Sequence, residues 1–291
     1  LVHGESDWLP GLIVDRYDDV LVMQTLSVGM DQRKELLADL LLDLTGGRAV
    51  YLRNDVKSRV QEGLPQELGF VRGEGATRVE VMEHGARFLV DVARGQKTGW
   101  FCDQRENRLA AASLARGLDV LEVFAHTGAF GTHAALQGAA SVTGVDVSED
   151  AVALAQEHAV LNKVQAQCTY RVGDAFDALR TLDRTGQRYD LVILDPPAFA
   201  LAKTAVPKAL AGYKEVNVQA LRLLRPEGFL VTCSCSHYVM EEAFLGMLQA
   251  AARDTHRQVR WLEQRTQARD HPILAAMPET RYLKCAILQV F

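Results

Sequence analysis

The chain has 291 residues, length for one large or two medium domains, and its 48% hydrophobic and 24% charged content is that of an ordinary soluble globular protein. Thirty-two Lys and Arg against 37 Asp and Glu leave a net charge of −5, which excludes a wholly basic nucleic-acid surface but allows a local patch. Five cysteines without a CxxC pair exclude a disulfide framework and a zinc site, and no apolar run reaches membrane-spanning length.

The opening residues Leu1 to Trp8 have no signal-peptide character, so the expected setting is the cytoplasm, with no membrane and no metal. Leu12–Tyr17 and Val20–Leu26 read as strands around an Asp18-Asp19 turn. Met30 to Leu44 carries leucines at helical spacing and stops at Gly46-Gly47, and Ala49–Leu52 is a third strand. Gly63 to Thr77, rich in glycine, reads as a linker; Val79–Met82 and Phe88–Val92 then alternate around Gly85 as a hairpin. Residues 1–85 are therefore expected to form a smaller α+β accessory domain that positions the substrate, with a second domain over 86–291.

In that second region Asp103, with Glu106 three residues on, reads as a helix start, and Gly117 as its end. The central stretch is Asp119-Val-Leu-Glu-Val-Phe-Ala-His-Thr-Gly-Ala-Phe-Gly131: a buried strand, a glycine turn and a helix that stops at Gly138. Val142–Asp146 is a second strand ending in a carboxylate, and Ser148 caps the helix after it. Cys168–Val172 ends near Asp174, and Tyr189–Leu194 ends in Asp195-Pro-Pro. A helix over Ala209–Leu224, a strand over Phe229–Ser236, a helix over Glu241–Ala252 and two closing strands complete the chain, one strand running antiparallel. Repeated strand–helix alternation with acids at strand ends indicates an α/β, Rossmann-like parallel sheet whose site lies at the strand C-termini.

The turn after the first strand has only Gly128 and Gly131, short of the G-x-G-x-x-G that cradles a pyrophosphate. S-adenosylmethionine suits it better than a nicotinamide cofactor: Asp146 can take the ribose hydroxyls and Asp174 can lie beside the adenine, though either acid could instead serve as a helix cap. Asp195-Pro-Pro-Ala-Phe199 offers an acid and an aromatic ring to a flat base, or is a plain proline turn.

Three segments carry a resemblance: Gly95-Gln-Lys-Thr-Gly-Trp-Phe-Cys-Asp-Gln-Arg-Glu-Asn-Arg108, Asp195-Pro-Pro-Ala-Phe199 and Ser234-Cys235-Ser236. With Leu9-Pro-Gly-Leu-Ile-Val-Asp-Arg-Tyr17, they resemble the class I S-adenosylmethionine-dependent large-subunit ribosomal RNA methyltransferases of the 5-methylcytosine type. That family usually has an N-terminal PUA domain, and this chain begins where such a domain would end. The resemblance implies a seven-stranded methyltransferase domain, ribosomal RNA as partner, and Lys97, Phe101 and Arg105 near the methionine end of the cofactor. It also implies cofactor contacts from Phe124, Thr127 and Gly128, the ribose on Asp146 and the adenine amino group on Asp174.

Methylation at cytosine C5 needs a thiolate that adds to C6, because C5 alone is a poor nucleophile. The family pattern Ser-Cys-Ser assigns that role to Cys235, with Asp195 on the N3/N4 edge of the base and Cys233 as a packing thiol. The Asp-Pro-Pro-Ala-Phe motif departs from many RNA 5-methylcytosine enzymes in lacking a second cysteine, so the proton-removing base is unassigned. Lys203, Lys208, Lys214, Arg253, Arg257, Arg260, Arg265 and Arg269 are phosphate-contact candidates or merely solvated faces. A guanine-nitrogen methyltransferase, a non-catalytic RNA-binding factor and, more distantly, a dehydrogenase are the competing readings, and a homodimer stays open.

Overall fold

The computed structural model describes residues 1–291, which divide into two compact units. One holds residues 1–104 and 268–280, the other residues 105–267 and 281–291. The expected boundary at 85 falls in a hairpin turn, and strand pairing across that turn keeps both arms in the first unit.

The first unit contains β1 (Val2–His3), β2 (Leu12–Tyr17), β3 (Val20–Thr25), α1 (Val28–Asp31), α2 (Lys34–Thr45), β4 (Ala49–Asn54), α3 (Lys57–Gln61) and β5 (Glu67–Arg72). The hairpin β6 (Arg78–Glu83) and β7 (Ala86–Asp91) follows. Strands β1 to β5 form one sheet in chain order, and Asp18 takes the left-handed conformation (φ 54°) in the turn between β2 and β3. The helical pattern from Met30 to Leu44 splits into α1 and α2, and the Asp31 carboxylate at the break pairs with buried Arg59 at 2.8 Å. The stretch from Gly63 to Thr77 is not a linker. Its middle is β5, antiparallel to β4, with Phe70 edge-on against Tyr51 at 4.9 Å between centroids. Gly69, at positive φ, interrupts the alternation of Leu68, Phe70 and Val71, and Gly73 ends the strand one residue past Arg72, so the strand is masked in the sequence.

The second unit alternates as expected. Its elements are α4 (Arg105–Ser113), β8 (Asp119–Val123), α5 (Ala129–Leu136), β9 (Ser141–Asp146), α6 (Glu149–Leu161), β10 (Cys168–Val172), α7 (Ala175–Arg184) and β11 (Tyr189–Leu194). They continue with α8 (Val206–Leu223), β12 (Leu224–Ser234), α9 (Glu241–Asp254), β13 (Val259–Arg265) and β14 (Lys284–Val290). The seven strands lie in the order β10-β9-β8-β11-β12-β14-β13. The pairs from β10 to β12 are parallel, and β14 is antiparallel to both of its neighbours. Because β8, β11 and the second half of β12 are covered on both faces, most of their central residues are apolar. One core joins the sheet to α7, α8 and α9 through Leu179, Tyr213 and Phe244; the other joins it to α4, α5 and α6 through Ala111, Phe130 and Val152. Ser148 caps α6, its hydroxyl accepting from the Ala151 amide at 3.2 Å. The order of strands reverses between β8 and β11, which opens a crevice at their C-terminal ends.

Candidate active site

The turn leaving β8 is built from three left-handed residues at alternate positions, Phe124 (φ 62°), His126 (φ 48°) and Gly128 (φ 68°). Only the glycine adopts this conformation without strain; the other two cost on the order of 1–2 kcal/mol each. Three interactions hold the turn in place. The Asp146 carboxylate at the end of β9 accepts from the His126 amide at 2.7 Å and from the Ser148 amide at 3.0 Å. The Tyr170 hydroxyl donates to the Gly128 carbonyl at 3.1 Å. Glu122, buried inside β8, accepts from the Phe130 and Gly131 amides at 3.2 and 3.0 Å.

Glu122 is a functional residue the sequence reading missed; the available signal was a carboxylate inside an otherwise apolar strand. Burial pushes its carboxyl up to about 8, against the pull of the two amides and Arg108, and Asp195 adds to the rise. Its unfolded value lies near 4.5, so across that window the folded protein holds a proton the unfolded chain has lost. Stability should therefore fall as pH rises from about 4.5 to about 8. Glu122→Gln should flatten that slope by up to a few kcal/mol in urea denaturation at pH 5 and pH 8; equal slopes in the two proteins would refute the assignment. Beside it, burial draws the His126 imidazole down to about 4, so this ring is neutral near pH 7.

The glycines of the turn serve packing as much as exposed backbone. A Cβ at Gly128 would come 2.5 Å from the Tyr170 ring, and one at Gly131 would come 2.6 Å from the Glu122 carboxylate. Of the residues expected to line a cofactor here, Thr127 and Gly128 are buried, Phe124 and Asp146 are half-buried, and Asp174 is exposed. Asp174 caps α7, accepting from the Phe176 and Asp177 amides at 2.9 and 3.1 Å.

Across the crevice, the loop after β11 begins at half-buried Asp195, whose amide donates to the Val123 carbonyl at 3.4 Å. Phe199 stacks on Tyr213 at 4.6 Å between centroids and lies 6.2 Å from Phe124. The Cys235 thiol, just past β12, donates to the Pro196 carbonyl at 3.8 Å. Ser236 accepts from the Ala200 amide at 3.2 Å and shares a 2.9 Å hydrogen bond with Tyr213. The fold thus brings Phe124, Thr127, Gly128, Asp146, Asp174, Asp195 and Cys235 to one end of the sheet. Cys233 pairs with Cys285 in the β12–β14 register and is fully buried.

Lys97 and Phe101 belong to the first unit. There the Lys97 ammonium lies 4.7 Å from the Phe101 ring centroid and pairs with buried Asp103 at 2.6 Å. Arg105 opens α4 of the second unit, 4.0 Å from Glu106. The late basic residues are largely engaged within the fold. Arg257 donates to the carbonyls of Leu224, Arg225 and Phe291, Arg265 to Asn107 and the Glu106 carbonyl, and Lys214 pairs with Asp254 at 2.7 Å. Lys203, Lys208, Arg253 and Arg269 are exposed.

This arrangement discriminates between cofactors. A pyrophosphate needs the amides at a helix N-terminus, and here Glu122 already occupies two of them at the start of α5. A cofactor without a pyrophosphate, such as one built around a sulfonium, does not need those amides. The sequence matches the family model described as S-adenosylmethionine-dependent methyltransferase over residues 64–276. The chain belongs to this family. It is similar to the protein named ribosomal RNA large subunit methyltransferase I from Shewanella denitrificans, at 41% identity over all of this chain and 74% of that one. The protein of the same name from Yersinia pseudotuberculosis is 39% identical over 98% of this chain and 72% of its own. Among solved structures, SMU.776 complexed with SAH has a TM-score of 0.86 at 23% identity, covering 99% of this chain and 74% of that one. Trm5b from Pyrococcus abyssi follows at 0.70 and 17%, covering 96% and 74%. The methyltransferase takes S-adenosylmethionine as its cofactor. No helix in it is long and apolar enough to cross a membrane.

Proposed function

We propose that this methyltransferase modifies C5 of a cytosine in large-subunit ribosomal RNA, with Cys235 as covalent nucleophile. The carrying observation is the 3.8 Å contact of the Cys235 thiol with the Pro196 carbonyl, beside Asp195 and at the same strand ends as Asp146. The names of the similar proteins from Shewanella and Yersinia support ribosomal RNA as the substrate. S-adenosylmethionine, when bound, supplies an electrophilic methyl group on a sulfonium sulfur. Asp146 holds its ribose, Asp174 its adenine, and Phe124, Thr127 and Gly128 line it. Lys97, Phe101 and Arg105 serve its methionine end, a carboxylate being suited to cations. The first unit positions the RNA, and exposed Lys203 and Lys208 in the segment after Asp195 contact phosphate.

The Cys235 thiolate adds to C6 of a cytosine turned out of its stack, and the electrons of the C5–C6 double bond make C5 nucleophilic. Asp195 accepts from the N4 amino group and favours the proton on N3. After C5 has been alkylated, loss of its proton restores the double bond and the C6–S bond breaks, its electron pair returning to sulfur. A ribosomal RNA fragment carrying 5-fluorocytidine tests this, because fluorine on C5 blocks the last step. With cofactor present, the parent protein should form a covalent RNA complex that survives denaturation and maps to Cys235, and Cys235→Ala should form none. Methylation of guanine nitrogen by both proteins, without any complex, would refute the reading.

The Asp174 cap separates two roles. Asp174→Ala should lose about 1 kcal/mol of stability, and Asp174→Ser, which still caps, should recover it. Affinity for the cofactor by calorimetry should stay low in the serine variant; full recovery would leave the acid as a cap alone.

A further inference from the structure

Lys284 lies on β14 opposite Ser234 of β12, and only 5% of its surface is exposed. A buried ammonium is costly unless its charge is answered, and lysine is rarely found so deep without a reason. Here both hydrogen bonds of the ammonium go to backbone carbonyls rather than to a carboxylate, Ser236 at 2.7 Å and Tyr282 at 2.8 Å. The α9 carboxylate that acts on Lys284, Glu241, is matched by Arg281 at 2.7 Å. The remaining group of opposite sign facing Lys284 is the Cys235 sulfur when it is ionised.

Resting on the reading of Cys235 as nucleophile, we infer that Lys284 is its positioning residue. The buried ammonium fastens the carbonyl of the next residue, Ser236, and supplies the positive charge that keeps the sulfur a thiolate. Ser236 is the joint of this arrangement. Its carbonyl is tied to β14 by Lys284, while its hydroxyl is tied to Ala200 of the Asp195 loop and to Tyr213 of α8. With Ser236 held on three sides, the backbone at Cys235 is fixed beside the Asp195 loop; the hydrogen bond to the Pro196 carbonyl belongs to the protonated thiol and is released when the sulfur ionises. His237, one residue further on, stacks on Tyr282 at 5.3 Å and closes the same corner.

The electrostatics run in the same direction. Burial draws the Lys284 ammonium down to about 8, Cys235 and Glu241 pull it back up, and Arg281 opposes them. The attraction between ammonium and thiolate is mutual, so the charge that Cys235 lends to Lys284 is returned as a preference for the thiolate. The sulfur is thereby ready to add to C6 without a separate base to deprotonate it in the same step. The proton it has released belongs to solvent.

The test needs no RNA, which separates it from the fluorocytidine experiment. In the full chain with S-adenosylmethionine bound, the rate of iodoacetamide alkylation of Cys235 is followed against pH, with peptide mass mapping to resolve it from half-buried Cys102 and Cys168. The parent should titrate below the ordinary cysteine value of about 8.5. Lys284→Gln keeps a donor and removes the charge; its midpoint should rise by about one unit or more, and Lys284→Arg should restore it. A parent midpoint at or above the ordinary value overturns the inference even if Lys284→Gln fails to fold. So does an unchanged midpoint in a Lys284→Gln protein that still binds cofactor. A shifted midpoint together with no fluorocytidine complex would instead retain the Lys284–Cys235 coupling and discard the nucleophile.

Discussion

Cys235→Ala is expected to lower methyl transfer to cytosine by on the order of 10⁴-fold or more, the scale of loss when an enzyme's nucleophile is removed. The affinity for S-adenosylmethionine should be unchanged. The two effects separate because the turn at Phe124–Gly128 and Asp146 is held by Glu122, Tyr170 and the amides it contains, and none of those hydrogen bonds involves Cys235. Alanine fills most of the space of a half-buried cysteine, so the fold should lose little. Single-turnover assays with radiolabelled methyl groups read the first effect and calorimetry the second. A variant that kept its rate would transfer the reaction to an acceptor that needs no covalent help, such as a ring nitrogen. One that lost cofactor binding as well would indicate that the thiol supports the pocket rather than the chemistry.

Gly144→Ala is the substitution expected to cost most in stability, roughly 3 kcal/mol, at the upper end for overpacking. Gly144 stands directly opposite Tyr170 in the β9–β10 register, and a Cβ there would meet the Tyr170 ring at 2.2 Å. The ring cannot retreat, because it is buried and its hydroxyl is bonded to the Gly128 carbonyl. A displaced Tyr170 would also loosen the cofactor turn, so affinity should fall together with stability. Urea denaturation of Gly144→Ala, of Tyr170→Leu and of the double variant forms a cycle. In the Tyr170→Leu background the alanine should cost clearly less than in the parent. Additive losses would mean that the glycine is needed for some reason other than this ring.

How much of this was legible in the chain depends on the range of the forces involved. The β8 strand, its glycine turn, the acid at Asp146 and the Ser148 cap are written in neighbouring residues, as apolar runs, backbone conformations and short side chains that bond their own backbone. Periodicity therefore found them. β5 escaped because Gly69, at positive φ, breaks its pattern, and only pairing with β4 makes it a strand. Asp174 reads in the sequence as either a cap or a cofactor ligand, and the fold shows the cap in its two amide bonds. Glu122 and Lys284 look like misplaced charges in apolar strands until the partners that justify their burial are known.

By itself, then, the sequence determined an α/β domain with its acids at strand ends, because alternation and turn chemistry act over a few residues. Tertiary structure alone decided what meets at those ends. Cys235 reaches Pro196 across 39 residues, and Lys284 reaches Ser236 across 48. Such meetings depend on strand order and register, which are set by the packing of the whole sheet and leave no local trace.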